Sequence, residues 1–146
     1  MNLEVKSFKN LTTSELYAIL QLRSEVFVVE QNCVYQDMDG KDQEALHIIG
    51  RKAGKIVAYT RLFDAGAYFE NPSIGRVIVA KSERKYGYGH ELMVYSIKAA
   101  QEHYDKQGIT IAAQTYLIKF YEQHGFAISG DEFLEDGIPH IPMTRN

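Results

Sequence analysis

The sequence predicts a single domain of the mixed α/β class, and three observations support this prediction. Residues 74–80 and 109–113 are short apolar runs that contain β-branched side chains, as buried strands do. A long amphipathic stretch lies between them, and turn residues such as glycine mark most of the junctions. The chain has 146 residues, the length of one ordinary domain, so we assign residues 1–146 to one unit.

Strands are predicted where apolar residues alternate or cluster between turn residues. The expected strand ranges are 3–8, 46–51, 56–63, 74–80, 109–113, 126–129 and 140–144. Ala53 and Gly54 separate the second strand from the third, and such a short gap with glycine favours an antiparallel hairpin. The apolar composition of residues 74–80 is typical of a strand at the centre of a sheet.

Helices are predicted from apolar periodicity, and their ends carry recognisable signals. The expected helices run from Thr12 to about Glu30, from about Gly89 to Gln107, and over residues 116–124. Thr12 and Glu15 form a capping-box pattern at the start of the first helix. Gly108 and Gly125 are placed to end the second and third helices. The predicted order of elements is therefore β-α-β-β-β-α-β-α-β-β.

The composition excludes several classes of protein. The chain carries 16 Lys+Arg and 19 Asp+Glu, and a net charge of −3 argues against nonspecific nucleic-acid binding. The single cysteine cannot form an intramolecular disulfide. No apolar run approaches the ~20 residues of a membrane span, and the first residues show no secretory signal. We therefore expect a soluble, cytoplasmic protein with no membrane or nucleic-acid partner.

The net charge is unevenly distributed along the chain. Residues 1–50 and 101–146 each sum to −4, whereas residues 51–100 sum to +5. One interpretation is a chance fluctuation on a solvated surface. The other is that the middle segment meets an anion while the two ends, including the acidic loop 31–45, meet a cation.

The segment from Val77 to His90, VIVAKSERKYGYGH, joins the predicted central strand to the long helix. Amides at a helix N-terminus lack intrahelical partners and carry the positive end of the helix dipole. Gly87 and Gly89 let the backbone close on a phosphate, and Arg84 and Lys85 add positive charge on the same turn. The segment therefore predicts a pyrophosphate-binding site.

The type of pyrophosphate follows from the spacing of the glycines. A dinucleotide fingerprint would need a glycine at the position of Leu92, and no P-loop string is present. The pattern Arg84-x-x-Gly87-x-Gly89 resembles the acetyl-CoA-binding motif of the GNAT acetyltransferase superfamily. Taken alone, this short string leaves open a glycine-rich turn that binds no ligand.

A second block, from Phe120 to Phe126 (FYEQHGF), resembles another motif of the same superfamily, in which the tyrosine lies near the coenzyme thiol. Attack of an amine on a thioester expels a thiolate. The ordinary pKa values are about 8.5 for a thiol and about 10 for a tyrosine, and a positioned phenol can stabilise or protonate the leaving sulfur. The resemblance therefore implies that Tyr121 is a general acid. The alternative is a core residue of a short helix.

Further strings extend the resemblance over nearly the whole chain. Residues 27–31 (FVVEQ), the acidic loop, His47 and residues 136–140 (DGIPH) are similar to the ElaA-like branch of the superfamily. The resemblance implies the GNAT fold, a mixed and mostly antiparallel sheet flanked by helices, in which the pantetheine arm of acetyl-CoA enters a gap beside the fourth strand. It implies acetyl-CoA as donor. No metal is expected, because the five histidines are scattered without the spacing of metal ligands. The implied coenzyme-binding residues are Val77, Ile78, Val79, Arg84, Lys85, Tyr86, Gly87, Tyr88, Gly89, His90, Gln114 and Tyr121.

The base that would deprotonate the acceptor amine is not evident from the sequence. Some family members use a glutamate on the fourth strand, but residues 74–80 contain no carboxylate. The open candidates are Glu44, His47, Asp136 and His140, which flank the second and last strands. Histidine has an ordinary pKa near 6.5, which suits proton transfer at neutral pH, yet each candidate can equally be structural.

Together these features predict an acetyl-CoA-dependent N-acetyltransferase. It would pass the acetyl group directly to a primary amine of a small molecule or peptide. The alternative is a non-catalytic acyl-CoA-binding or regulatory module of the same fold. The sequence does not fix the acceptor or the oligomeric state, for which a homodimer paired through exposed strands is one arrangement.

Overall fold

A computed structural model describes residues 1–104 and 108–146, which form one mixed sheet flanked by helices. The strands are β1 (Asn2–Ser7), β2 (Leu46–Lys52), β3 (Lys55–Phe63), β4 (Ser73–Val79), β5 (Ile109–Gln114), β6 (Ala127–Ile128), β7 (Phe133–Glu135) and β8 (Ile138–Arg145). The α-helices are α1 (Thr13–Arg23), α2 (Tyr88–His103) and α3 (Ile118–Glu122). The fold class predicted from the sequence is confirmed.

The sheet has the order β1-β2-β3-β4-β5-β8-β6, and β7 pairs with β8. Its neighbouring strands are antiparallel apart from β4 and β5, which are parallel. The register of β4 and β5 contains one pair, Ser73 opposite Thr110. Beyond this pair the two strands separate, and the wedge between them is the feature that positions the site.

A β-bulge on β4 lies beside this wedge. Ile78 pairs with Tyr59 and Gly75 pairs with Arg61, so Arg76 and Val77 together oppose the one residue between them on β3. Arg76 adopts a φ of +50°, in the left-handed region that non-glycine residues seldom occupy. A bulge of this kind bends its strand and leaves backbone groups without a ladder partner.

The core has two layers, one on each face of the sheet. Ile48 and Ile49 are neighbours on β2, and their side chains therefore point to opposite faces. Ile48 packs in the same cluster as Leu92 of α2, and Ile49 packs with Ile19 of α1. Each of these side chains is fully buried, and such burial stabilises the fold by about 1.5–3 kcal/mol per side chain.

The predicted starts and turns of several elements are confirmed. The Thr12 hydroxyl accepts a hydrogen bond from the Glu15 amide at 3.1 Å, and the Glu15 carboxylate accepts one from the Thr12 amide at 2.8 Å. The β2–β3 hairpin turns at Ala53 and Gly54, both of which have positive φ. Gly125, with a φ of +87°, follows α3 as predicted.

Three predicted elements differ from the structure. The first helix continues beyond Arg23 as a π-helical segment, Ser24–Glu30. Helix α2 ends at His103 because Tyr104 is extended (φ −123°, ψ 141°), so Gly108 does not cap it, and residues 105–107 of the predicted helix lie outside the described residues. Strand β7 was not among the predicted strands, although its turn to β8 at Asp136 and Gly137, both with positive φ, is a favoured hairpin signal.

Candidate active site

A pocket of about 540 Å³ occupies the wedge between β4 and β5. Val77, Ile78 and Val79 line it from β4, and Gln114 lines it from β5. The π-helical segment, the β3–β4 loop and the β7–β8 hairpin supply the remaining walls. The wedge that the resemblance implied is therefore present, and the three predicted β4 residues lie on its wall.

The start of α2 lies next to this wedge, after a 3₁₀ turn over Lys81–Tyr86. Gly87 is the N-cap of α2, adopts φ +72°, and no side chain caps the helix. Glycine suits this position because side-chain-bearing residues are strained at positive φ. At Gly89 a Cβ atom would lie 3.6 Å from the Phe120 ring, so the helix start is closely packed on α3. The amides of the first turn are free to bind an anion.

Arg84 makes a different contact from the one the sequence suggested. Its two Nη atoms donate to the Glu30 carboxylate at 2.6 and 2.8 Å, and its Nε donates to the Val79 carbonyl at 3.0 Å. The hydrogen bonds from Arg84 hold the pKa of Glu30 below its usual value. In this structure the Arg84 charge is therefore balanced by Glu30 rather than free for a phosphate.

Gln114 is held at the open end of the wedge. The side-chain amide nitrogen of Gln31 donates to the side-chain oxygen of Gln114 at 3.3 Å. Since Gln31 follows Glu30 in the chain, these two adjacent residues contact Arg84 after β4 and Gln114 at the end of β5. The segment after α1 thus connects the two sides of the wedge.

The other predicted coenzyme residues surround the helix start rather than the wedge. The rings of Tyr86 and Tyr88 lie 5.4 Å apart, and the Lys85 ammonium lies 5.3 Å from the Tyr86 ring. His90 Nδ1 lies 2.9 Å from His124 Nε2. The sequence analysis missed this histidine pair because the two residues are 34 positions apart.

Tyr121 lies on α3 and lines the pocket, with 6% of its surface exposed. Its ring packs edge-on against Phe120 and Phe126, which fixes its orientation. Burial raises the pKa of Tyr121 above its ordinary value. The hydroxyl is therefore protonated at neutral pH and able to donate.

His140 and Asp136 both line the pocket, on the β7–β8 hairpin. His140 Nδ1 lies 2.7 Å from the Ile138 carbonyl, and because a carbonyl only accepts, Nδ1 carries the proton of the neutral ring. His140 Nε2 then has a free lone pair and lies 3.5 Å from a Glu135 carboxylate oxygen. Glu135, which the sequence analysis missed, also lines the pocket.

The other two candidate bases, His47 and Glu44, lie away from the pocket. His47 is fully buried, and its nitrogens contact the Asp42 carbonyl at 2.9 Å and the Tyr59 hydroxyl at 2.5 Å. Burial lowers the pKa of His47. Glu44 is an exposed residue at the end of the turn Asp42–Glu44. Both His47 nitrogens are occupied by contacts inside the protein. Since His47 and Glu44 lie away from the pocket, the structure does not bring either residue to the reacting groups.

The acidic loop does not face a substrate cation along its whole length, as the charge pattern had suggested. Three of its aspartates pair with three arginines of α1, β3 and β4 at 2.7–2.8 Å. We call this group the arginine–aspartate cluster; its members are Arg23, Arg61, Arg76, Asp37, Asp39 and Asp42. The partners of these acidic residues are cations of the same chain.

Charges within the arginine–aspartate cluster balance. Burial opposes ionisation of Asp39, but the hydrogen bonds and charge of Arg61 outweigh it and hold the pKa of Asp39 far below its usual value. The pKa of Asp42 is lowered in the same way by Arg23 and Arg61. Arg76 Nε lies 2.8 Å from Asp37 Oδ1, whereas the buried donor Arg61 Nε has no partner among the described residues. Both arginines line the pocket.

A family model described as an acetyltransferase (GNAT) domain matches residues 11–146. The chain therefore belongs to the GNAT acetyltransferase family. Within that family it is similar to the protein ElaA of Escherichia coli K12, with 43% identity over 137 residues that cover 92% of this chain and 90% of that protein. It is also 42% identical to a UPF0039 protein of Schizosaccharomyces pombe over 140 residues, 94% of this chain and 92% of that protein.

Solved structures agree with the fold. An acyl-CoA N-acyltransferase from Pseudomonas aeruginosa and Escherichia coli ElaA each superpose with a TM-score of 0.92 at 39% identity, covering 100% of both chains. An aminoglycoside 6'-N-acetyltransferase complexed with coenzyme A has the same fold, with a TM-score of 0.69 at 14% identity over 97% of this chain and 96% of that one. The resemblance to the ElaA-like branch is confirmed.

Two further predictions concern metal ligands and membrane-spanning helices. Across residues 1–104 and 108–146, no group of three or more His, Cys, Asp or Glu is arranged to hold a metal ion. Within those same ranges, none of the helices combines the length and apolarity needed to cross a membrane.

Proposed function

We propose that this chain is an N-acetyltransferase that moves an acetyl group from acetyl-CoA directly to a primary amine. The observation that carries the proposal is the wedge between β4 and β5. It leads from an uncapped helix start to a pocket lined by Tyr121 and His140. Acetyl-CoA as donor is supported by the aminoglycoside acetyltransferase of the same fold, which was solved with coenzyme A.

The coenzyme is bound by backbone groups more than by side chains. Its pyrophosphate lies on the free amides at the start of α2, where Gly87 and Gly89 leave the backbone accessible. Its pantetheine arm lies along Val77 to Val79 and extends the sheet like an added strand. The bulge at Arg76 and Val77 supports this arrangement because it takes backbone groups out of the β3 ladder. One such amide polarises the thioester carbonyl.

The reaction forms one bond and breaks one. The amine nitrogen attacks the acetyl carbon and forms the C–N bond, and the C–S bond then breaks with its electron pair going to sulfur. Tyr121 donates its proton to the departing thiolate, and the acylated nitrogen gives up its second proton, which returns through solvent to the Tyr121 oxygen. The products are the N-acetylated amine and the free thiol of coenzyme A.

His140 removes the proton that the acceptor's ammonium group must lose before its nitrogen can attack. The hydrogen bond from Nδ1 to the Ile138 carbonyl orients the ring and leaves Nε2 as the acceptor. When Nε2 takes the proton, the Glu135 carboxylate 3.5 Å away stabilises the imidazolium. Asp136, the next residue, adds a second negative charge at the same wall of the pocket.

The test is Tyr121→Phe, compared with Tyr17→Phe at an exposed position of α1. Loss of one general acid is expected to lower kcat by about 10²–10⁴-fold, while the Kd for acetyl-CoA changes less than threefold. Stopped assays of thiol release with a panel of amines give kcat, and calorimetry gives Kd. An unchanged kcat removes Tyr121 from the mechanism. Tight acetyl-CoA binding without turnover of any amine favours the non-catalytic module.

A further inference from the structure

The half of the pocket beyond the β4 bulge has aromatic walls. Its rings come from the π-helical segment, the acidic loop, the end of β3, the loop between β3 and β4, and strand β7. They are Phe27, Tyr35, Phe63, Tyr68, Phe69 and Phe133. Arginine or lysine groups already lie over the faces of three of them, Phe27, Phe63 and Tyr68, at 4.1–5.8 Å. These rings therefore suit an apolar group of the acceptor rather than its ammonium.

Glu135 and Asp136 provide the place for the ammonium. Both line the pocket, and within the described part of the chain neither pairs with an arginine or lysine. Their charges are thus not cancelled by the protein. The ammonium of the acceptor, placed between these carboxylates, lies next to His140 Nε2, the proposed base.

A third feature concerns hydrogen-bond donors. Arg61 Nε is buried, lines the pocket and lacks a partner among the described residues, so it calls for an oxygen acceptor, whereas Arg76 Nε already lies 2.8 Å from Asp37 Oδ1. The three arginines of the arginine–aspartate cluster are already balanced by its three aspartates. A substrate carboxylate would therefore bring an uncompensated negative charge into this half of the pocket, whereas a neutral carbonyl would not.

We infer that the acceptor is an α-amine next to a neutral carbonyl and a large apolar or aromatic side chain, such as an amino-acid amide or the N-terminus of a peptide. This inference rests on the proposed function. An α-amine also matches the weak base available, because its ordinary pKa near 8 leaves part of it unprotonated at neutral pH, unlike a lysine ε-amine near 10.4.

The experiment compares kcat/KM for matched acceptors with saturating acetyl-CoA. Phenylalanine amide is expected to exceed phenethylamine, which lacks the oxygen, by about 10- to 100-fold. It is expected to exceed phenylalanine, which carries a carboxylate, by a similar or larger factor. Alanine amide tests the aromatic walls and is expected to be at least tenfold worse than phenylalanine amide.

Variants assign the effects to residues. Glu135→Gln and Asp136→Asn are each expected to raise KM for phenylalanine amide about tenfold, whereas Glu132→Gln, on the exposed segment before β7, leaves it within twofold. Arg61→Lys keeps the charge but removes the unpartnered Nε donor. It is expected to lower the rate with phenylalanine amide more than with phenethylamine, so that the ratio of the two shrinks.

Equal acetylation of phenylalanine and phenylalanine amide overturns the inference. Equal acetylation of alanine amide and phenylalanine amide overturns it as well. Acetylation confined to polyamines or lysine side chains also overturns it and leaves the proposed function intact. Binding of acetyl-CoA with no acetylation of any amine overturns both.

Discussion

The two halves of the pocket are built in opposite ways. The coenzyme half comes mostly from one continuous segment, residues 77–90, and its ion pair between Glu30 and Arg84 is partly open to solvent. The acceptor half is assembled from α1, β3, β4, the acidic loop and the β7–β8 hairpin, and its arginine–aspartate cluster is largely buried. Proximity in the sequence thus defines the first half, and long-range pairing of charges defines the second.

This difference separates two kinds of ion pair. The side chains of Arg84 and Glu30 are 40% and 31% exposed, so water and salt screen their attraction. Those of Arg23 and Asp42 are 0% and 10% exposed, so removal of one partner leaves the other charged and desolvated. The same arginine–carboxylate pairing therefore has unequal consequences in the two halves.

Asp42→Asn is the change with the largest expected effect. Asp42 accepts hydrogen bonds from both Arg23 and Arg61 at 2.8 Å, and the amide would leave two buried guanidinium groups short of one negative charge. We expect the free energy of unfolding to fall by about 3–5 kcal/mol, measured by urea denaturation at pH 7.5.

Glu30→Gln is the matched control, since it removes the carboxylate of an arginine pair in the coenzyme half. Its expected cost is at most about 1 kcal/mol. Equal losses for Asp42→Asn and Glu30→Gln would contradict the contrast between a screened and a buried pair.

The coenzyme half was largely predictable because its signals are local. Gly87 and Gly89 lie in one motif, the preceding strand and following helix were predicted from periodicity, and the GNAT fold followed from the resemblance. The position of Arg84 was predicted but its partner Glu30, 54 residues away, was not. A spacing within one turn identifies a helix start, but it does not identify a partner from another element.

The acceptor half was predicted less well for the same physical reason. The acidic loop was recognised by its composition, yet its charges are cancelled by Arg23, Arg61 and Arg76 from distant elements. His47 was a reasonable candidate base from its residue type, but burial and the pairing of both nitrogens were not visible in the sequence. Only the folded chain shows which carboxylates have no arginine or lysine partner among the described residues, and these include Glu135, whose neighbour is His140.

Gly89→Val tests the local construction of the coenzyme half. The added side chain would meet the Phe120 ring, 3.6 Å from the Cβ position, and would crowd the amides of the first helical turn. We expect the Kd for coenzyme A to rise at least 100-fold, or about 2.7 kcal/mol, by calorimetry. Val94→Ala, at an exposed position of α2, is expected to leave the Kd within twofold. Retained affinity in a folded Gly89→Val protein would show that the phosphates bind elsewhere.

The smallest expected effect is the pH dependence that His47 gives to the stability of the acceptor half. Burial lowers the pKa of His47 in the folded state, so between its folded pKa and about 6.5 the unfolded chain binds a proton that the folded chain does not. Stability is then constant above about pH 6.5 and falls as the pH decreases, by at most about 1.4 kcal/mol per pH unit for one proton. Carboxylates such as Glu15, whose pKa is lowered to about 2, contribute only at more acidic pH.

His47→Gln and His124→Gln separate the sources of that slope, since the pKa of His124 is also lowered, by burial and by His90 and Arg145. Urea denaturation between pH 5 and 7.5 should show a smaller slope for His47→Gln, because Gln binds no proton. Its stability at pH 7.5 should also drop, because the hydrogen bonds to Asp42 and Tyr59 are altered. If His47→Gln instead keeps the full slope and stability but loses the acid limb of the pH–rate profile, His47 is the base and His140 is not. If His47→Gln loses the slope of stability against pH but retains the acid limb of the pH–rate profile, His47 is one of the residues that hold the buried cluster together.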